Sequence, residues 1–245
     1  MLLRHWLNIW TLQLILFSML STGCGLTANQ TDSGPTGKLT KTKPNKPIIE
    51  LLSPAPAKLY DLETIAGLTF EGINKENWAQ TEEGLANLVS SWQETKLSVG
   101  DEKTVALGDE ALNKLSTAIT EKQVTASYEN LNKFMATISD IAKLHKLSPL
   151  ADIITIGNAV RSTSFYVEEK NWSKASVKVK ALDTTWKQSK PGLEKFGIIG
   201  EITKTHSYIN QIKDAINEEN KGNADDKLTD INSSIAQIRE YYRGT

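Results

Sequence analysis

The sequence holds one cysteine, Cys24, in 245 residues. That excludes an intrachain disulfide and any zinc or iron–sulfur site built on several cysteines. Neither sign of charge dominates: Lys+Arg 28 stands against Asp+Glu 29, a formal net charge of −1. No global basic field therefore points to nucleic acid. Glycine (15) and proline (7) are too scarce for a collagenous or low-complexity chain. There is no Gly-x-Ser-x-Gly, no Ser-x-x-Lys with partners and no glycine-rich phosphate loop. An enzyme has little to stand on here, and a non-catalytic protein without a cofactor is expected. What remains, 39% hydrophobic and 23% charged, is globular composition.

The N-terminus is the most informative stretch. Arg4 supplies a short positive region, and Leu7 to Leu20 is mostly apolar, interrupted by Asn8 and Gln13. That run is shorter than the roughly 20 apolar residues of a spanning helix. It ends in Leu20-Ser21-Thr22-Gly23-Cys24. The arrangement resembles the signal peptide and lipobox of bacterial lipoprotein precursors, with Ser21 where that family more often carries leucine. The resemblance implies cleavage between Gly23 and Cys24, a diacylglyceryl group on the Cys24 thiol, and a protein held by lipid on the extracytoplasmic face of the cell membrane. Each buried methylene contributes about 0.8 kcal/mol, so two or more acyl chains hold a domain stably at a bilayer. Loss of Arg4 with the signal leaves the mature chain at −2.

Residues 25–57 carry Pro35, Pro44, Pro47, Pro54 and Pro56, with Lys38, Lys41, Lys43 and Lys46 between them. Such composition buries too little apolar surface to order itself and reads as a tether. Ile48, Ile49, Leu51 and Leu52 are the exception, a group able to dock on the body. From Lys58 onward proline nearly vanishes and the apolar spacing becomes helical, as in Leu59, Leu62, Ala66, Thr69 and Ile73. No convincing period-two run appears in the body, so the fold class is all-α.

A repeat organises that body. Ile73-Asn74-Lys75-Glu76-Asn77-Trp78, followed by Trp92, recurs as Val167-Glu168-Glu169-Lys170-Asn171-Trp172, followed by Trp186. Weaker copies begin at Ile119 and Ile216 and end on Ile138 and Ile235. A fixed period of 46–49 residues is the signature of a helical repeat. The first and third copies share tryptophans, which implies an ancestral pair duplicated once. The chain thus divides into a signal over 1–23, a lipidated cysteine and tether over 24–57, and helical halves over 58–147 and 148–245.

Within each copy the helical phase slips, since five residues from Ile73 to Trp78 overshoot one face by about 140°. Two geometries explain it: four αα hairpins, or a four-helix bundle of long kinked helices. In the fourth copy Lys221-Gly222-Asn223 reads as a helix stop followed by a cap. The hairpin geometry resembles the tetratricopeptide pattern, with Trp78 and Trp172 opening a second helix and the small Thr81 and Ala175 three residues on. That resemblance implies four hairpins stacked into a short curved array that presents a surface to protein partners. The longer period and the missing glycine and proline landmarks depart from that family.

Candidate chemistry is sparse. His145 and His206 sit beside lysines, and neither has a Glu at the spacing of di-iron bundles. The acid pairs at 82–83, 168–169, 218–219 and 225–226 diverge by about 100° on a helix and rarely converge on one ion. Trp78, Trp92, Trp172 and Trp186 are either core or the lining of an aromatic groove for glycan or peptide. The functional expectation is a non-catalytic protein-binding or scaffold lipoprotein, joined to the membrane by its lipid and to a protein partner, with no nucleic acid. The alternative is a helical bundle holding a small ligand, metal or haem through His145 and His206.

Overall fold

A computed structural model describes residues 54–195 and 197–243. The signal, the lipobox at Gly23 and Cys24, and the tether up to residue 53 lie outside the described residues. Those described form eight helices and no strand: α1 (Ala57–Asn74), α2 (Trp78–Lys96), α3 (Glu102–Thr120), α4 (Val124–Ala142), α5 (Leu150–Glu168), α6 (Trp172–Glu194), α7 (Ile199–Asn217) and α8 (Lys221–Arg243). Consecutive helices pair as four antiparallel hairpins. Each sequence copy is the end of one helix and the start of the next, so the long kinked helices do not form.

The phase slip has a local cause. Three residues join the helices of each hairpin, and the middle one is left-handed: Glu76 (φ 52°), Lys122 (φ 53°), Lys170 (φ 51°) and Glu219 (φ 53°). The third residue turns its N–H back to a carbonyl five positions earlier: Asn77 to Gly72 at 2.8 Å, Gln123 to Ala118, Asn171 to Tyr166 and Asn220 to Ala215 each at 2.9 Å. That is a Schellman stop, which satisfies the last carbonyls of the first helix. The same third residue caps the next helix. The side chains of Asn77, Asn171 and Asn220 accept from the N–H of Gln80, Lys174 and Asn223. Gln123, one methylene longer, makes no such bond. The fourth copy therefore stops at Glu218 and Glu219 and is capped by Asn220. Gly222, expected at the stop, lies in the first turn of α8.

The hairpins do not form an open curved array. α5, among the most apolar helices, packs on α1, α4, α6 and α8, and α1 in turn touches α4, α5 and α8. The first hairpin therefore meets the last, and the helical halves close around α1, α4, α5 and α8, with α2, α3, α6 and α7 outside. Trp92 and Trp186 are fully buried, as are Leu59, Leu62, Ile73, Leu131, Phe134 and Ile138. Trp92 meets Phe134 edge-on at 5.6 Å between centroids. No described helix is long and apolar enough to cross a membrane.

Candidate binding cleft

The duplication lets every residue be compared with its counterpart. Trp172 stands 94 residues after Trp78, and Ile199 stands 97 after Glu102, so α1–α2 map onto α5–α6 and α3–α4 onto α7–α8. The contact of α4 with α5 should then be matched by one of α8 with α1. It is not: α4 packs closely on α5, whereas α8 only grazes α1. The gap is a cleft of about 720 Å³ floored by α5 and walled by α1 and α8.

Side-chain chemistry explains the difference. In the closed half Tyr128 of α4 stacks on Phe165 of α5, with centroids 4.3 Å apart and an interplanar angle of 5°. Its hydroxyl donates to Ser162 at 2.7 Å, and burial pushes that phenol's pKa up. The counterparts of Tyr128, Phe165 and Ser162 are Asp225, Glu71 and Leu68. Further along α4, Met135 and Ala142 are buried, and α8 carries Asn232 and Arg239 in their places. Between them Ser139 donates to the carbonyl of Ala151 in α5 at 3.2 Å; its counterpart, Ala236, has no hydroxyl to do so. Two carboxylates, each bonded to its own lysine, cannot replace a stacked ring pair, so the seam is not closed here.

At the turn end of the cleft Lys75 donates to Glu71 at 2.8 Å. Lys221 donates to Asp225 at 2.6 Å and to Glu168 at 3.0 Å. The hydrogen bond to Asp225 holds the Lys221 ammonium above the ordinary lysine range. At the other end lies the one ion pair buried on both sides among the described residues. Arg161 donates to Glu63 through both terminal nitrogens, at 2.9 and 3.2 Å, and to Asn158 at 2.6 Å. The counterparts of Glu63 and Arg161 are Gly157 and Gly67, and the pair packs over Gly157, where a Cβ would meet Glu63 Oε1 at 2.1 Å and a terminal nitrogen of Arg161 at 3.4 Å. The Nε of Arg161 is buried and has no partner in the protein. Leu68, an exposed leucine, stands between the two charged ends.

Neither histidine and none of the four tryptophans lies in this cleft; of the acid pairs weighed in the sequence, Glu168 and Asp225 line it. Trp92 and Trp186 are core, and Trp78 and Trp172 are half-buried against it at the starts of α2 and α6. They do not form an aromatic groove. His145 lies in the loop after α4 and His206 on α7, each half-buried. No group of three His, Cys, Asp or Glu side chains among the described residues is placed to hold a metal ion. His206 has a structural counterpart in Asp109, which accepts from the indole N–H of Trp92 at 2.7 Å. The Nδ1 of His206 and the indole nitrogen of Trp186 are both buried without partners.

No family model matches the chain, and no curated protein or solved structure matches it either. The cleft must be read from its own chemistry. It carries four acids (Glu63, Glu71, Glu168, Asp225) and four cations (Lys75, Arg161, Lys221, Arg239) around short apolar patches. It lacks the enclosed, mostly apolar lining of small-molecule sites.

Proposed function

We propose that this chain is a non-catalytic binding lipoprotein, anchored through Cys24 on the extracytoplasmic face of the cell membrane, which takes a segment of a protein partner in the cleft between α1 and α8. The observation that carries the reading is the unequal seam. Duplicated helices that close tightly at Tyr128 and Phe165 are held apart where Asp225 and Glu71 replace them. From Glu63 to Asn74 the cleft follows twelve residues of α1, about 18 Å at 1.5 Å per residue, and it is open along one side. A polypeptide fits that form: its charges pair with either end, and an apolar side chain covers Leu68. The lipid anchor rests on the signal, the small residues before Cys24 and the placement of the single cysteine.

The test is photo-crosslinking in membranes from a light-activated residue at position 68, with position 177 of α6 as an exposed control. Specific protein adducts from 68 and none from 177 are expected. The double substitution Asp225→Tyr with Glu71→Phe, which copies the closed seam, should abolish those adducts and raise the melting temperature. Adducts equally abundant at both positions, or undiminished in the closed variant, would refute the cleft as the site. Cys24→Ser should independently abolish acylation and shift the protein from the membrane to the soluble or uncleaved fraction.

A further inference from the structure

The two ends of the helical body differ in chemistry. One end carries the four hairpin turns, whose tips are only Lys, Glu, Asn and Gln. The opposite end gathers the loops between hairpins, the start of α1 and the end of α8. Cross-links fix this grouping. Tyr60 at the start of α1 bonds Ser148 in the loop before α5 at 2.8 Å. Arg243 at the end of α8 pairs with Asp61 at 2.8 Å, and Tyr242 donates to the carbonyl of Leu193 near the end of α6 at 2.7 Å. Ser189 of α6 donates to Asp152 in the first turn of α5 at 3.0 Å.

Aliphatic side chains stand exposed at this second end in every inter-hairpin connection. Leu97 follows α2 and is 86% exposed, Leu147 precedes α5 at 51%, and Ile199 opens α7 at 62%. Leu144 and Tyr241 are exposed beside them. Lys146 and Lys195, in two of the same loops, have no acidic partner among the described residues. Helix–loop junctions normally carry polar residues, and one exposed aliphatic would need no explanation. Five of the nine large exposed hydrophobics at one end do need one.

The chain outside the structure identifies the occupant. Residues 25–53 lead from Cys24 to Pro54, and α1 begins at Ala57 on this same end. Twenty-nine residues reach at most about 100 Å, so an anchor at Cys24 would join the body to the bilayer through this end. Tethering turns even weak insertion into an intramolecular step at high effective concentration.

We infer that this end of the body is a membrane-docking face, with Leu97, Leu147 and Ile199 inserted among lipid headgroups and Lys146 and Lys195 meeting lipid phosphates. It rests on the lipid-anchor reading only for proximity; the face itself is built from the body. Docking would leave the cleft, which runs along the helices, open sideways to partners beside the membrane.

The mature protein, extracted from membranes and returned to vesicles of phosphatidylethanolamine and phosphatidylglycerol, carries an environment-sensitive fluorescent residue at 97, 147 or 199, or at 177 as control. Brominated lipids should quench the first three and leave 177 unchanged. In the mature acylated protein, Leu97→Ser with Ile199→Ser should relieve the quenching of a probe at 147 several-fold. Acylated protein whose three probes escape quenching would overturn the docking face and leave the anchor standing. Quenching in native mature protein that is found to carry no acyl group would support the face while the anchor falls. Probes shielded without vesicles, in proportion to protein concentration, would show an interface between copies and overturn the proposal.

Discussion

Replacing Gly157 by alanine should reverse sign with its background. A methyl group at 157 would stand 2.1 Å from Oε1 of Glu63 and 3.1 Å from its Cδ. Glu63 is buried and held by Arg161, so it cannot swing into water without breaking the bidentate pair. Breaking a buried pair leaves an uncompensated charge and costs about 3–5 kcal/mol. Alanine in place of a helical glycine returns about 0.8–1 kcal/mol. Gly157→Ala should therefore destabilise the native chain by roughly 2–4 kcal/mol. In a Glu63→Ala background the bridge is already gone and the space is free. The same substitution should then stabilise by up to about 1 kcal/mol. A domain stable by about 5–15 kcal/mol keeps each single variant folded. Urea unfolding followed by far-ultraviolet circular dichroism measures all four corners of the cycle. Equal effects of Gly157→Ala in both backgrounds would refute the reasoning, because they would mean that Glu63 does not occupy the glycine's space.

Other consequences follow from the same contacts. Glycine at any of positions 76, 122, 170 or 219 should stabilise by roughly 0.5–1 kcal/mol, because a left-handed residue with a Cβ costs about 1–2 kcal/mol; the four gains should add, and thermal melting checks them. Trp92→Ala and Trp186→Ala should each cost about 3–5 kcal/mol, while iodide should quench the native fluorescence of Trp78 and Trp172 and leave Trp92 and Trp186 untouched. Burial pushes the Tyr242 phenol up to about 12 from 10.0, so the folded state keeps a proton that the unfolded chain releases. Its contribution is whole below pH 10 and is lost as pH rises toward about 12. Tyr242→Phe should flatten alkaline unfolding over that range and cost about 1 kcal/mol at neutral pH through the lost bond to Leu193.

Much of the fold was legible in the sequence because helical burial is periodic. Ile73, Ile119, Val167 and Ile216 mark helix ends, Trp92 and Trp186 mark core, and the all-α class follows from their spacing. The form of the turn was not legible. Nothing in Glu76 or Lys122 advertises a left-handed conformation, which is a glycine's habit, and Gly222 drew the stop three residues too far. The N–H of Asn77 and Asn171 is also committed to a carbonyl five residues back. A proline there, which a simple turn would tolerate, breaks that bond. Local propensity yields to tertiary packing where four stacked hairpins demand one turn geometry.

The cleft was hidden for a different reason. Asp225, Asn232 and Arg239 read individually as one solvated helix face. Their meaning appears only against Tyr128, Met135 and Ala142, one half earlier in the same sequence. The earlier three seal a seam, so the later three mark a surface that duplication would have buried and that polar substitution uncovered. The reciprocal exchange of Glu63 and Arg161 against Gly157 and Gly67 belongs to the same divergence. Glu63 fills the space that Gly157 leaves, and its pair with Arg161 ties α1 to α5. That contact ties one wall of the cleft to its floor, while the other wall, α8, stands apart. A duplicated bundle can thus gain a binding surface without any new element, by losing complementarity at one of two equivalent seams and reinforcing the contact between them.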